Sequence, residues 1–249
     1  MQHYYEKYST TPLVWLVRVI IKPLLKVVIL SFLLYLIIST FFLKTFRVES
    51  DSMLPGLARM NRVLVTPLSY GSKLPFLSSR LPGLTKPQYG DLVICTPPYY
   101  PTGNALFNTF EPLVRFLSLQ KAASRRNPGR AGNTRYMIKR IIGLPGDTIK
   151  LKAFAAYIKP PSKDRFYSEK ELIPVVYEIR IEAMPEAWQS NFPLTGNMEE
   201  ITLKENEYFL LGDNRMKSND SRSWGPLLFS RIDSRVFYRY WPLNQSEKL

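Results

Sequence analysis

The stretch YMIKRIIGLPGD, residues 136–147, decides the fold class of this 249-residue chain. Its first half is short, apolar and β-branched, which favours a strand, and its Gly-Leu-Pro-Gly ending predicts a turn. Similar short runs, most of them separated by Gly, Pro or Asn, recur along the chain at residues 62–66, 91–95, 148–152, 175–181, 207–211 and 235–240. The pattern predicts a mainly β domain.

The segment 152–205 has strand signals of its own, punctuated by proline. It lies between two of the strands that contain the motifs described below. We therefore expect it to form a smaller β subdomain, inserted into a larger domain that spans residues 45–249.

An apolar segment precedes this domain. From Val27 to Leu43 it contains no charged residue, and extended back to Leu24 it spans roughly 20 residues, about the thickness of a bilayer core as a helix. We predict a transmembrane anchor over residues 23–44, and a cleaved signal peptide is disfavoured because no small-x-small site follows. Whether residues 11–22 begin the same helix or lie along the membrane interface stays open.

The flanking charges predict the direction of the anchor. Four basic residues precede it against the single acid Glu6: Lys7, Arg18, Lys22 and Lys26. Basic residues stay on the cytoplasmic side, so residues 1–22 are expected in the cytoplasm and the β domain outside it, at the plasma (inner) membrane.

The chain has 34 Lys+Arg against 20 Asp+Glu and a net charge of +14. No nucleic-acid motif or compact basic stripe accompanies this charge, so membrane lipid is the expected partner rather than nucleic acid. Two segments, residues 67–90 and the amphipathic residues 105–126, either contact lipid or pack on the protein surface.

The histidine and cysteine counts restrict the chemistry. One histidine, His3, and one cysteine, Cys95, cannot supply a Cys-His pair or a zinc site, and a Ser-His-Asp triad would need His3 from beyond the anchor. We expect no metal or other cofactor, no internal disulfide, and Cys95 as a small apolar side chain. A hydrolase built on this chain needs another base.

Lysine can serve as that base if its amine is neutral. Its reference pKa of about 10.4 leaves very little neutral amine at pH 7, and burial lowers that pKa. Lys139 lies in an apolar run where Met137 shares its face and Arg140 points to the opposite one. Ser52, a few residues beyond the anchor, is the candidate nucleophile.

Four sequence blocks occur in order: SDSMLP at 50–55, YGDLVI at 89–94, the stretch at 136–147, and LGDNRMKSNDSRSWG at 211–225. In this order they resemble bacterial type I signal peptidase, the leader peptidase family of Ser-Lys proteases. The resemblance covers the anchor and most of residues 46–241. It agrees with a mainly β fold in which an antiparallel-sheet catalytic domain follows one transmembrane helix.

The resemblance implies a role for four residues. Ser52 is the nucleophile, and Lys139 is the general base and afterwards the acid that protonates the departing amine. Ser218 orients that lysine. Ser50 joins the backbone N–H of Ser52 in an oxyanion hole.

It also places supporting residues around the site. Asp220 and Arg222 match an ion pair that supports the site, and Asp213 matches a nearby structural carboxylate. Small apolar pockets that admit Ala and exclude larger side chains are expected from Val48, Met53, Leu57 and Ile138.

The function implied is removal of N-terminal signal peptides from exported preproteins after Ala-x-Ala-type sites, through an acyl-enzyme, near the secretion translocon. Some residues depart from the family pattern: Asp51 replaces a small residue, Gly56 replaces a hydroxyl residue, and Met216 and Lys217 replace a polar pair. None removes a catalytic group, but substrate preference stays open.

Two other functions remain. One is a catalytically silent membrane-bound relative that binds preproteins or joins a secretion complex. The other is an enzyme with the same dyad and a different task. A self-cleaving SOS-response repressor would carry a DNA-binding domain in place of the anchor, whereas an organellar inner-membrane peptidase stays open even though no Arg-rich transit peptide precedes the anchor.

Overall fold

The structure, a computed structural model, describes residues 12–73, 80–100, 113, 116–117, 136–181 and 196–249. It begins with one long helix, α1, which runs without a break through Pro12–Leu16, Val17–Ile21, Lys22–Ile37 and Ile38–Phe42. Residues 12–22 therefore belong to the same helix as the apolar segment. Of the described residues, only the stretch Val14–Phe42 forms a helix long and apolar enough to cross a membrane. At Leu43 the backbone becomes extended, and Lys44 already begins the first strand.

The main sheet contains eight antiparallel strands in the described parts of the chain. They are β1 (Lys44–Arg47), β2 (Arg62–Thr66), β3 (Leu92–Cys95), β4 (Met137–Gly143), β9 (Glu207–Leu211), β10 (Leu227–Leu228), β11 (Ile232–Trp241) and β12 (Glu247–Lys248). Their spatial order is β1-β2-β11-β3-β4-β9-β10, with β12 paired to β11. The expectation of a mainly β, antiparallel fold behind an apolar N-terminal helix is confirmed.

A smaller antiparallel sheet leaves the main one at the end of β4. Its strands are β5 (Thr148–Lys152), β6 (Ala155–Lys159), β7 (Tyr167–Ser168) and β8 (Met198–Thr202), in the order β7-β6-β5-β8. Among the described residues, two further short α-helices follow strands, α2 (Glu169–Leu172) after β7 and α3 (Ser221–Trp224) after β9. The sheet begins with β5, ahead of the predicted boundary at residue 152.

One apolar core joins the two sheets. Ile142 and Leu211 of the main sheet pack with Ile149 and Ile158 of the smaller one, all of them buried. Burial of each such side chain stabilises the fold by roughly 1.5–3 kcal/mol. The smaller sheet is therefore held against β4, which lies in the 136–147 block, and β9, which leads into the 211–225 block.

Three strands have the bounds that the sequence predicts: β2 and β9 in the main sheet and β5 in the smaller one. The predicted strand at 175–181 is wrong. Of these residues only Arg180 pairs with another segment, in an isolated parallel bridge to Asn214. Tyr177 turns inward, with the guanidinium carbon of Arg140 3.9 Å from its ring centre. One isolated main-chain bridge and the side-chain contacts of Tyr177, not a regular strand, set the path of this segment.

Two surface segments are described only in part. In the 67–90 segment Pro67–Ser69 forms a short 3-10 helix and Leu84 is 73% exposed, while residues 74–79 lie outside the described residues. Most of the predicted 105–126 helix also lies outside them. Where it is described, Phe116 is helical, and its ring centre lies 5.2 Å from that of Phe32 in α1. Contact of either segment with lipid stays a prediction.

Candidate active site

Three side chains from distant parts of the sequence meet beside β4 of the main sheet. The Lys139 amine on β4 lies 2.9 Å from the Ser52 hydroxyl and 3.0 Å from the Ser218 hydroxyl. All three residues are buried, Lys139 with 2% of its surface exposed. The amine thus bridges two hydroxyls in a site with little access to water.

Burial sets the protonation state of this lysine. It lowers the pKa of the Lys139 amine from its ordinary 10.5, while the negative charge of Asp220 acts in the opposite direction. The neighbouring Cys95 adds no charge at neutral pH, because burial raises the pKa of its thiol to about 12. A lowered pKa makes the neutral amine available for proton transfer.

The loop behind β9 holds the turn that contains Ser52. The N–H of Asn214 donates to the Ser52 carbonyl at 3.1 Å, and the Asn214 side-chain amide donates to the Asp51 carbonyl, also at 3.1 Å. Asn214 has no exposed surface. Sequence reasoning missed its contribution, although its place in the 211–225 block was a usable signal.

Gly212 permits the close approach of the two segments. A Cβ at this position would overlap the Ser218 hydroxyl and lie 2.5 Å from the Ser52 carbonyl oxygen. Any side chain there would push the Ser52 backbone and Ser218 apart. This residue also lay in the 211–225 block without being singled out.

Asp220 and Arg222 form an ion pair behind Ser218. Two guanidinium nitrogens of Arg222 donate to the Asp220 carboxylate, each at 2.8 Å, and a third donates to the Arg215 carbonyl at 2.7 Å. Asp220 also accepts the backbone N–H of Gly212 at 3.0 Å. Burial raises the pKa of the Asp220 carboxyl, but the Arg222 guanidinium outweighs it and holds that pKa below its ordinary value. The pair closes the loop around Ser218.

Asp213 is paired with Arg140. For Arg140 the sequence predicted only that its side chain points to the strand face opposite Lys139. Two guanidinium nitrogens of Arg140 donate to the two carboxylate oxygens of Asp213 at 2.8 and 2.7 Å, and a third donates to the Gly90 carbonyl at 2.8 Å. Both charged groups are buried. The charge of Arg140 is thus directed at a carboxylate, and its hydrogen bonds share no partner with those of Lys139.

Ser50 is exposed and lies beside Ser52. Its hydroxyl is 3.1 Å from the Ser52 hydroxyl. Asp51, between the two serines, is exposed.

The four candidate pocket residues pack in one apolar cluster next to Ser52. Val48, Met53 and Leu57 are buried there at 4%, 1% and 1% exposure, and the partly buried Ile138 packs against them. The structure therefore brings every candidate site residue into two adjoining groups, one polar around Lys139 and one apolar beside Ser52.

Comparison with known proteins identifies the family. The profile described as "Signal peptidase, peptidase S26" matches residues 21–241. The chain belongs to the signal peptidase S26 family. The match includes part of α1, the smaller sheet, the main sheet except β12, and every residue of the candidate site.

Curated signal peptidase I proteins are similar to this chain. One from Pseudomonas aeruginosa is 26% identical over 206 residues, covering 76% of this chain and 58% of that protein. One from Leptolyngbya laminosa is 26% identical over 225 residues, covering 90% and 82%. One from Bacillus licheniformis is 33% identical over 121 residues, covering 48% and 58%. The chain thus spans 58% of the length of the first and third of these relatives.

A solved signal peptidase I from Enterococcus faecalis V583 is 20% identical to this member of the signal peptidase S26 family. The likeness covers 61% of this chain and 98% of that one, with a TM-score of 0.33.

The Arg140–Asp213 pair gives a stability prediction. Asp213→Ala is expected to destabilise the fold by about 3–5 kcal/mol, because it leaves a buried guanidinium without a counter-charge. Thermal unfolding in detergent measures the change, with Asp164→Ala, at an exposed aspartate, as the matched control. An unfolding temperature equal in the two variants would contradict the structural importance of the pair.

Proposed function

We propose that the protein is a membrane-anchored serine endopeptidase that removes N-terminal signal peptides from exported preproteins. The observation that supports this best is the 2.9 Å contact between the buried Lys139 amine and the Ser52 hydroxyl. Membership of the signal peptidase S26 family agrees with it. The reaction is acyl transfer to serine followed by hydrolysis.

In the first half of the reaction, the Ser52 hydroxyl oxygen attacks the scissile carbonyl carbon as the neutral Lys139 amine takes its proton. The carbonyl oxygen becomes an oxyanion, which the Ser50 hydroxyl and the backbone N–H of Ser52 stabilise. When the carbon–nitrogen bond breaks, the Lys139 ammonium gives its proton to the departing amine. The signal peptide is then an ester of Ser52, and the mature protein leaves.

In the second half, Lys139 takes a proton from water, which attacks the ester carbonyl. The ester bond breaks, the proton returns to the Ser52 oxygen, and the signal peptide leaves with a free carboxylate. Ser218, at 3.0 Å, keeps the amine pointed at the reacting oxygen throughout. One lysine thus serves both halves, and its neutral form is restored at the end.

The specificity proposed is for small residues before the cut. The apolar cluster of Val48, Met53, Leu57 and Ile138 adjoins Ser52 and offers little open space. Side chains as small as alanine fit such a surface, and larger ones overlap it. We therefore propose cleavage after Ala-x-Ala-type sites.

The proposed setting is the plasma membrane, with the part of α1 from residue 23 onward in the anchor, residues 1–22 in the cytoplasm and the β domain outside. Ser52 lies about ten residues beyond Phe42, where α1 ends. Even a fully extended link of this length keeps Ser52 within roughly 35 Å of the helix end. A preprotein held by its own apolar segment presents its cleavage site at a similar level. Sharing one surface, close to lipid and the translocon, raises the effective concentration of enzyme and substrate.

The test is cleavage of a purified preprotein by the full chain in detergent or liposomes. A preprotein with an Ala-x-Ala site is expected to be cut once, directly after the second alanine, as mass spectrometry of both products shows. A matched preprotein with Phe in place of that alanine is expected to stay uncut. Binding of both preproteins without any cleavage would instead indicate the silent relative.

Ser218→Ala is expected to lower kcat by about 10- to 100-fold, a milder loss than removal of a reacting atom. The variant loses one hydrogen bond to the amine, which is typically equivalent to about 1–3 kcal/mol in a buried site. Steady-state kinetics on the cleavable preprotein measure it, with Ser223→Ala, at an exposed serine of α3, as the control. A Ser218→Ala enzyme as fast as the control would contradict the orienting role.

A further inference from the structure

Glu169, the first residue of α2, has a buried carboxylate on the side of the protein where the smaller sheet lies. Its exposure is 2%, and both of its oxygens have partners. One accepts the Arg215 guanidinium at 2.5 Å and the Tyr177 hydroxyl at 2.8 Å, and the other accepts the Ala156 N–H at 3.3 Å. The smaller sheet thus makes a charged contact with the loop behind β9.

Arg215 depends on this carboxylate. The residue has no exposed surface, and two of its guanidinium nitrogens, Nε and Nη1, find no partner among the described residues. The only carboxylate that the described structure pairs with it is Glu169. A buried guanidinium without a counter-charge is strongly unfavourable, so loss of Glu169 would drive Arg215 from its place.

Arg215 adjoins the contacts that hold the nucleophile. The preceding residue, Asn214, donates to the carbonyls of Ser52 and Asp51, both at 3.1 Å. The Arg215 carbonyl accepts Arg222 at 2.7 Å. A shift of Arg215 therefore displaces both the backbone of Ser52 and the ion pair behind Ser218.

The segment 173–181 adds a second connection to the same loop. The N–H of Arg180 donates to the Asp213 carbonyl, and the N–H of Arg215 donates to the Arg180 carbonyl, both at 2.9 Å. Tyr177, in the same segment, donates to Glu169. The loop is thus held from the side of the smaller sheet by main-chain bonds and by one ion pair.

We propose that Glu169 and Arg215 form a positioning pair, through which the smaller sheet fixes Asn214 and so the backbone of the nucleophile. The proposal rests on the proposed function for its effect on catalysis. Both side chains are buried, and neither shares in the hydrogen bonds among Ser52, Lys139 and Ser218. The pair acts on the geometry of Ser52, and misplacement of a reacting group by about 1 Å can lower a rate by about a hundredfold.

The first test is Glu169→Gln, which keeps the shape and one acceptor but removes the charge. We expect kcat per folded molecule to fall by about 10- to 100-fold, with KM changed by less than about twofold. The matched control is Asp233→Asn, which removes another buried carboxylate, one that faces Lys44 and Lys73 instead of the loop behind β9. Its kcat is expected to stay at the wild-type value. A Glu169→Gln enzyme with wild-type kcat, or an equal loss in both variants, would overturn the proposal.

A second readout does not require activity. Hydrogen exchange of the peptide that contains the Asn214 and Arg215 amides, measured by mass spectrometry on the full chain, is expected to be at least about 10-fold faster in Glu169→Gln than in wild type. In Asp233→Asn it is expected to be unchanged. Equal exchange in wild type and Glu169→Gln overturns the positioning pair even if the wild type cleaves preproteins. If the wild type does not cleave preproteins but Glu169→Gln still exchanges faster than the wild type, the positioning pair is supported and only the proposed function is refuted.

Tyr177→Phe covers the case in which Glu169→Gln fails to fold. It removes a single hydroxyl and leaves the ring against Arg140 in place. Because Glu169 then loses one of its restraints, we expect a smaller fall in kcat, about 3- to 10-fold, with KM unchanged. A Tyr177→Phe enzyme with wild-type kcat and wild-type exchange at Asn214 would overturn the proposal.

Discussion

Ser52→Ala is expected to lower the rate of preprotein cleavage by about 10⁴-fold or more, while the protein stays folded and membrane-bound. The variant removes the oxygen that forms the acyl-enzyme. In a serine protease, loss of the nucleophile alone typically lowers kcat about as much as loss of all the catalytic residues together. The folded structure has little reason to change, because the hydrogen bonds of this hydroxyl within the described part of the chain are those to the Lys139 amine and the Ser50 hydroxyl. Single-turnover kinetics on the Ala-x-Ala preprotein measure the loss.

The control for this variant is Ser246→Ala, at an exposed serine near the end of the chain. It is expected to cleave at the wild-type rate. A Ser52→Ala protein that keeps more than about a tenth of wild-type activity would refute the assignment of the nucleophile.

Lys139→Met is expected to produce a loss of similar size for a different reason. Methionine fills a buried, apolar space of comparable length but cannot accept a proton, so the Ser52 hydroxyl stays un-ionised during attack. The same kinetic assay measures the effect. The control is Lys150→Met on β5, whose amine pairs with Glu200 at the surface and is expected to be dispensable. A Lys139→Met enzyme as active as the Lys150→Met control would show that another group is the base.

The same substitution changes how stability depends on pH. Burial lowers the pKa of Lys139 in the folded protein, so between that value and 10.5 the unfolded chain binds more protons than the folded one. Wild-type stability is therefore expected to rise with pH across this window relative to Lys139→Met. Unfolding temperatures of the two proteins, measured side by side over a pH series, report the difference, and parallel curves would contradict a lowered pKa.

Local sequence patterns predicted the strands better than they predicted the site. Short runs of β-branched or aromatic residues identify β2, β5 and β9, because strand pairing and burial dominate there. Ser52 and Lys139 are 87 residues apart in the sequence, and no periodic pattern predicts that their side chains are in contact. It was expected from the order of the motif blocks, and the structure supplies the distance.

The residues that sequence reasoning missed are buried polar groups outside regular strands. Tyr177 lies in a run that resembles a strand, yet its contacts with Arg140 and Glu169 determine its path. Glu169 and Arg215 resemble ordinary surface charges in the sequence, because burial of a charge becomes visible only when its partner is known. Their pairing depends on how the smaller sheet packs against the loop behind β9.

The pH dependence of kcat/KM for preprotein cleavage tests most directly whether a neutral Lys139 amine is the base. The account predicts that the rate rises with pH along a single limb whose apparent pKa lies clearly below the ordinary 10.5 of a lysine. The residual rate of Lys139→Met is predicted to lack that limb. A limb near 10.5, or the same limb in the variant, would contradict the account.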